Sequence, residues 1–116
     1  MVRRETVEEK RELRGGKGSV FFHHVISGDE FAGHGRMFAR LVLPPGSSIG
    51  WHVHEGETEP YYIIAGEGVF TDSDGSKHAV CKGDCCLIEE GCGHSIENNG
   101  TEDLEFIALI YKVQPK

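Results

Sequence analysis

At 116 residues, with 16 glycines and 4 prolines spread along its length, the chain is the size of one domain and points to short strands joined by turns rather than long helices. A formal charge of −7, from 19 acidic against 12 basic residues, repels phosphate backbones and anionic membrane surfaces, so no nucleic acid and no membrane partner are expected. No apolar run reaches the ~18 residues of a membrane span and no hydrophobic leader is evident, which predicts a cytoplasmic protein.

Taken in chain order, Glu5 to Arg14 carries helix formers with opposite charges three or four apart. Gly15 and Gly16 would stop it, so residues 1–17 are expected to form an arm that is a short helix or irregular, ahead of a β domain over 18–116. Ser19 to Ile26 is rich in β-branched and aromatic residues and reads as a first strand, and Met37 to Leu43 as a second that ends at Pro44, Pro45 and Gly46. A strand carrying His52 and His54 follows. Tyr61 to Ala65, Val69 to Thr71 and Lys77 to Cys81 are then separated by Gly66-Glu67-Gly68 and by the Asp72–Gly75 turn. Cys85 to Ile88, His94 to Glu97 and the long apolar run Leu104 to Val113 complete the series. Short strands at this spacing, with no linker or helical repeat, predict an all-β sandwich or closed barrel of the jelly-roll kind.

Cys81, Cys85, Cys86 and Cys92 lack the paired CxxC knuckles of a structural zinc site and read as free thiols. Cys85 and Cys86, adjacent on a strand, point to opposite faces and cannot both serve one site. Cys92, two residues before His94, is the thiol that could approach a bound ligand.

The chemistry concentrates in His52, His54, Glu59 and His94. Two histidines two apart on a strand leave the same face about 6.5–7 Å apart at the backbone, close enough to share one ion. The loop Glu55–Thr58 lets the next strand return with Glu59 aimed inward, where Tyr61 and Ile63 share its face by alternation. His94 is expected from a different pair of strands. Three imidazole nitrogens and one carboxylate oxygen suit one divalent zinc, iron, nickel or manganese ion and leave a coordination position for water or substrate.

These residues sit in a glycine frame that resembles the cupin family. The first cupin motif, GxxxxxHxHxxxxExxxxxxG, is met without a gap through Gly46, His52, His54, Glu59 and Gly66. The second, GxxxxxPxGxxHxxxN, is met at Gly83, Gly91, His94 and Asn98, with Glu89 where proline is usual. The departure touches the stiffness of that turn and no ligand. The resemblance implies a double-stranded β-helix barrel whose metal is held by His52, His54, Glu59 and His94, with Asn98 structural and the four glycines in turns. The 16 residues between the motifs resemble the spacing of short single-domain microbial cupins, some of them oxalate-decarboxylase-like.

Cupins span decarboxylases, dioxygenases, isomerases and binding modules, so fold alone does not fix activity. The leading expectation is a metal-dependent enzyme acting on a small oxygenated molecule, a dicarboxylate, sugar or enediol. The alternative is a non-catalytic binding or sensing module. Tyr61 and Arg40 are the candidate proton-transfer residues, with His24 and His34 if they reach the cavity. Trp51 and Val53 point away from the histidines, and strand aromatics to spare (Phe21, Phe22, Phe38) suggest a homodimer.

Overall fold

The computed structural model describes residues 1–113. Among the described residues, eleven strands form two antiparallel sheets. The larger takes β1 (Thr6–Arg11), β2 (Ser19–Ile26), β3 (Gly35–Leu43), β11 (Leu104–Lys112), β6 (Tyr61–Ala65) and β9 (Cys85–Cys86) in that order, with β5 (Glu57–Thr58) also paired to β11. The smaller runs β4 (Ser48–Val53), β10 (Gly93–Glu97), β7 (Glu67–Thr71) and β8 (Lys77–Cys81). Neighbours in space are distant in sequence, as in a jelly roll, so the two ends of the chain help close one barrel. No helix among the described residues is long and apolar enough to cross a membrane.

Period-2 alternation builds the core. Ala39, Leu41 and Leu43 of β3, Phe106, Ala108 and Ile110 of β11, and Val20 and Phe22 of β2 are all at most 4% exposed, while the residues between them are half-buried or exposed. In β6 the same parity buries Tyr61 and Ile63 and exposes Tyr62. Asn98 ties the sheets together just after β10. Its Nδ2 donates to the Leu43 carbonyl at 2.8 Å and to the Glu102 carbonyl at 2.7 Å, and its Oδ1 accepts from the Gly100 N–H at 2.9 Å.

The charged N-terminal segment corrects the expectation of a helix or irregular arm. Thr6–Arg11 is a strand in continuous register with β2, from Thr6 opposite His24 to Arg11 opposite Ser19, and a single 3-10 turn at Leu13–Gly15 follows. Propensity and i,i+4 charge pairs contribute only a few tenths of a kcal/mol each in an isolated helix. A full ladder of main-chain bonds to β2 outweighs them, and cross-strand pairs replace the helical ones: Ser19 donates to Glu9, and His24 Nε2 lies 3.0 Å from Glu8 Oε1. An edge strand of this composition exposes charge rather than apolar surface, which protects the sheet from pairing with another chain.

Candidate metal centre

β4 delivers His52 inward, and the chain carries His54 to the same side just beyond the end of that strand. Glu59 directly follows β5, with Pro60 between it and β6. His94 comes from β10, which is hydrogen-bonded to β4, and its backbone stands directly opposite His52 in the register. The third imidazole is therefore a cross-strand neighbour of the first, closer in topology than a separate strand pair. A register shift between His94 and Ile96 accompanies this pairing. The turn before β10 is fixed from the site itself, since the Gly91 N–H donates to the His54 carbonyl at 2.8 Å. The Cys92 N–H closes it on the Glu89 carbonyl at 3.1 Å, so the turn is held although Glu89 stands in the proline position.

All four side chains are buried: His52 8%, His54 3%, Glu59 4% and His94 0% exposed. One ligand atom from each lies within 4.8 Å of all the others. Three Nε2 atoms surround a single carboxylate oxygen, Glu59 Oε1, at 3.3 Å from His52, 2.9 Å from His54 and 3.1 Å from His94. The Tyr61 hydroxyl donates to the same oxygen at 3.2 Å.

Hydrogen bonding alone leaves this cluster unsatisfied. His52 Nδ1 lies 2.8 Å from the Gly50 carbonyl, which can only accept, so Nδ1 carries a proton, and in a neutral ring Nε2 would then turn its lone pair toward a carboxylate. His94 has no hydrogen-bond partner at either ring nitrogen despite full burial, because its approach to Glu59 is short but poorly aligned. A buried polar atom without a partner costs about 1–3 kcal/mol. A cation among the four atoms resolves both conflicts, and the bond from His52 Nδ1 to a backbone carbonyl is the outer contact that metal-binding histidines make. The donor set therefore fits a divalent transition metal.

Electrostatics agree. Burial works to raise the Glu59 carboxyl, but the three imidazoles around it outweigh that and hold it far below the usual carboxylate range, so it stays ionised. Burial depresses His94, with only partial compensation from Glu59, which favours the neutral ring and leaves one nitrogen lone pair available. Tyr61, fully buried beside the Glu59 charge, is pushed well above the ordinary phenol value and keeps its proton.

The cluster opens onto a cavity of about 80 Å³ walled by Phe22, Met37, Leu41, Ile49 and Ile110, with His52, His54, Glu59 and Tyr61 at its floor. That is far below the ~300–1,000 Å³ of drug-sized pockets. A wider open groove of about 450 Å³, bordered by Gly66, Cys81, Lys82 and Thr101, carries no such convergent set. Tyr61 thus stands at the centre. Arg40 is placed elsewhere: it donates to Glu105 at 2.7 Å and Glu5 at 3.0 Å, on the face of β3 opposite Ala39 and Leu41, and does not border the cavity. His24 pairs with Glu8, and exposed His34 lies outside the cavity wall. Cys92 packs half-buried against the core and is not among the four converging ligands. Reading the sequence for ligands passed over Lys10, Arg14 and Arg36, which border the cavity mouth. All three sit outside both motifs, Lys10 and Arg14 in the charged N-terminal segment and Arg36 at the start of β3.

Residues 39–110 match the cupin domain. The chain belongs to the cupin family. It is similar to an oxalate-binding protein of Thermotoga maritima, at 50% identity over 105 residues that cover 90% of this chain and 86% of the relative. It is also 35% identical, over 82% of this chain and 75% of the other, to an uncharacterised protein of Methanocaldococcus jannaschii. Among solved structures, a predicted oxalate decarboxylase from Thermotoga maritima superposes with a TM-score of 0.92 at 48% identity, covering 97% of this chain and all 100% of that one. The cupin domain of Schizosaccharomyces pombe Cnp3 reaches 0.71 at 13% identity, over 97% and 90% of the two chains, a likeness of fold alone.

Proposed function

We propose that this cupin binds a small oxygenated anion, a short dicarboxylate of the oxalate type, on one divalent metal ion held by His52, His54, Glu59 and His94. The observation that carries the reading is the buried set of three imidazoles and one carboxylate at the floor of a narrow cavity. The 50% identity to an oxalate-binding protein supports the choice of anion over sugar or enediol. When bound, a divalent ion supplies Lewis acidity toward a ligand oxygen. The protein's own residues do the rest. Glu59 contributes the negative charge, Gly50 fixes the His52 tautomer, Tyr61 holds the Glu59 carboxylate in place, and Leu41, Met37 and Ile49 limit the space to a ligand of a few heavy atoms.

Turnover is the second reading, and Tyr61 favours it as a proton-bearing group 3.2 Å from Glu59. Binding is preferred because Glu59 is the single carboxylate among the described cavity-lining residues, leaving no second carboxylic acid to exchange a proton with the ligand. Metal-loaded protein assayed with dicarboxylates, sugars and catechol-like compounds, with and without O2, separates the readings. Saturable binding of oxalate without product supports the first, product formation supports the second, and binding of none contradicts both.

A homodimer also belongs to this reading. The outer face of the large sheet aligns half-buried Phe21 with Val42 and Phe38 with Leu109, and Ile107 with exposed Tyr62, which is more apolar surface than a lone sheet face needs. Light scattering on the purified protein tests it: a mass twice that of the chain is expected, and the mass of one chain would contradict it.

A further inference from the structure

Three cations from three different elements meet at the mouth of the metal cavity: Lys10 on β1, Arg14 on the 3-10 turn and Arg36 on β3. In a chain of net charge −7, this cluster is the local exception, and the one carboxylate lining the same cavity is Glu59 at its floor. Among the described residues, no carboxylate lies within ion-pair distance of Lys10 or Arg14. Arg36 is anchored through its Nε, which donates to Glu57 Oε2 at 2.7 Å, while Glu57 Oε1 lies 3.7 Å from His54 Nδ1. A chain of contacts thus runs from the mouth to a ligand histidine.

Arg14 is built in rather than draped over the opening. Its backbone is left-handed, φ 55°, a conformation that is strained for a side chain of this size and is found where the surroundings enforce it. The enforcement comes from β4. A Cβ on Gly50 would overlap the Arg14 carbonyl, and a Cβ on Gly16 would overlap the Ser48 carbonyl, so two glycines let the turn lie directly on the strand that carries His52. Gly50 also accepts the His52 Nδ1 bond, so the same residue positions the turn and a metal ligand. Such coupling of a strained, cationic, cavity-lining residue to the site is what an anion-recognising wall requires.

We propose that Arg14, assisted by Lys10 and Arg36, is the specificity-determining residue that receives the outward-facing carboxylate oxygens of a short dicarboxylate, so that the site selects dianions over monocarboxylates. The proposal rests on the reading above that the cavity binds such an anion at the metal. A fork of guanidinium donors matches a carboxylate edge, and charge-assisted bonds are the stronger class.

The test is calorimetric titration of manganese-loaded protein with oxalate, malonate and acetate, for wild type, Arg14→Gln, Arg14→Gly and Lys10→Ala. Arg14→Gln is expected to weaken oxalate about 10- to 100-fold, the loss of one or two charge-assisted bonds, with acetate changed less than about 3-fold and manganese content unchanged. Arg14→Gly should weaken oxalate equally while leaving the melting temperature the same or higher, because glycine adopts positive φ without strain; Lys10→Ala should give a smaller loss. Equal weakening of oxalate and acetate, or oxalate affinity in Arg14→Gln within about 2-fold of wild type, would overturn the clamp while leaving the metal-anion site intact. Wild-type protein that holds manganese but binds neither oxalate nor malonate would overturn the underlying reading and the clamp with it.

Discussion

Asn98→Ala should destabilise the fold without touching the metal ligands. The side chain is 2% exposed and satisfies three backbone groups: the Leu43 and Glu102 carbonyls and the Gly100 N–H. The Leu43 bond is fully buried, and losing a partner there costs about 1–3 kcal/mol; the other two are partly solvated and recover some of their loss from water, at roughly 0.5–1 kcal/mol each. The expected loss is therefore about 2–5 kcal/mol. At an unfolding entropy near 2.1 cal/mol/K per residue, this lowers the melting temperature by roughly 8–20 °C. Urea denaturation of metal-free protein followed by circular dichroism gives the free energy directly. Asn98→Asp is the companion: it keeps the acceptor for Gly100 but turns a carboxylate oxygen toward two carbonyls, so it should be at least as damaging at pH 7 and recover as the pH falls. If Asn98→Ala lies within about 0.5 kcal/mol of wild type, or Asn98→Asp is neutral, the side chain is not the tie between sheets described above.

Metal binding is coupled to the folded state, so a hundredfold excess of metal over its Kd should add about 2.7 kcal/mol and raise the melting temperature by about 10 °C, reversed by chelation; no shift in scanning calorimetry would contradict the site. In metal-free protein, stability should fall with pH in two stages. His94 titrates lower when folded than its ordinary 6.5, so below about that pH the unfolded chain takes up the extra proton; Glu59 is depressed below its ordinary 4.5, so its contribution is present above that pH and lost below it. Urea midpoints between pH 8 and 3 measure this, and a midpoint that rises on acidification would refute the assignment. For thiols, Cys85 should react first with maleimide and exposed Cys81 more slowly, because the Asp84 carboxylate raises its thiol. Cys86, buried and pushed up to about 12, should react only after unfolding, as read by mass spectrometry of labelled peptides.

Most of the strands and the inward parity of His52, His54 and Glu59 were legible because both depend on local rules. Alternation placed His52 inward and Trp51 and Val53 outward, and the latter two are 48% and 44% exposed. The same rule put Tyr61 beside Glu59 and split Cys85 from Cys86. Three things depended on distant pairing and were not legible. The Glu- and Lys-rich segment Thr6–Arg11 looks helical until β2 offers its edge. His94 stands opposite His52 because β10 pairs with β4, which no spacing between the motifs reveals. Arg14 reaches the cavity only because Gly16 and Gly50 let the turn lie against β4, whereas Arg40, on a central strand, faces outward to Glu105 and Glu5.

The most direct test of the metal centre is elemental analysis of protein purified without added metal, beside His52→Ala and His94→Ala, each confirmed folded by circular dichroism. The wild type should carry close to one equivalent of a divalent transition metal per chain, and both variants should lose most of it. Full occupancy in both variants would contradict the assignment of His52, His54, Glu59 and His94 as the ligand set.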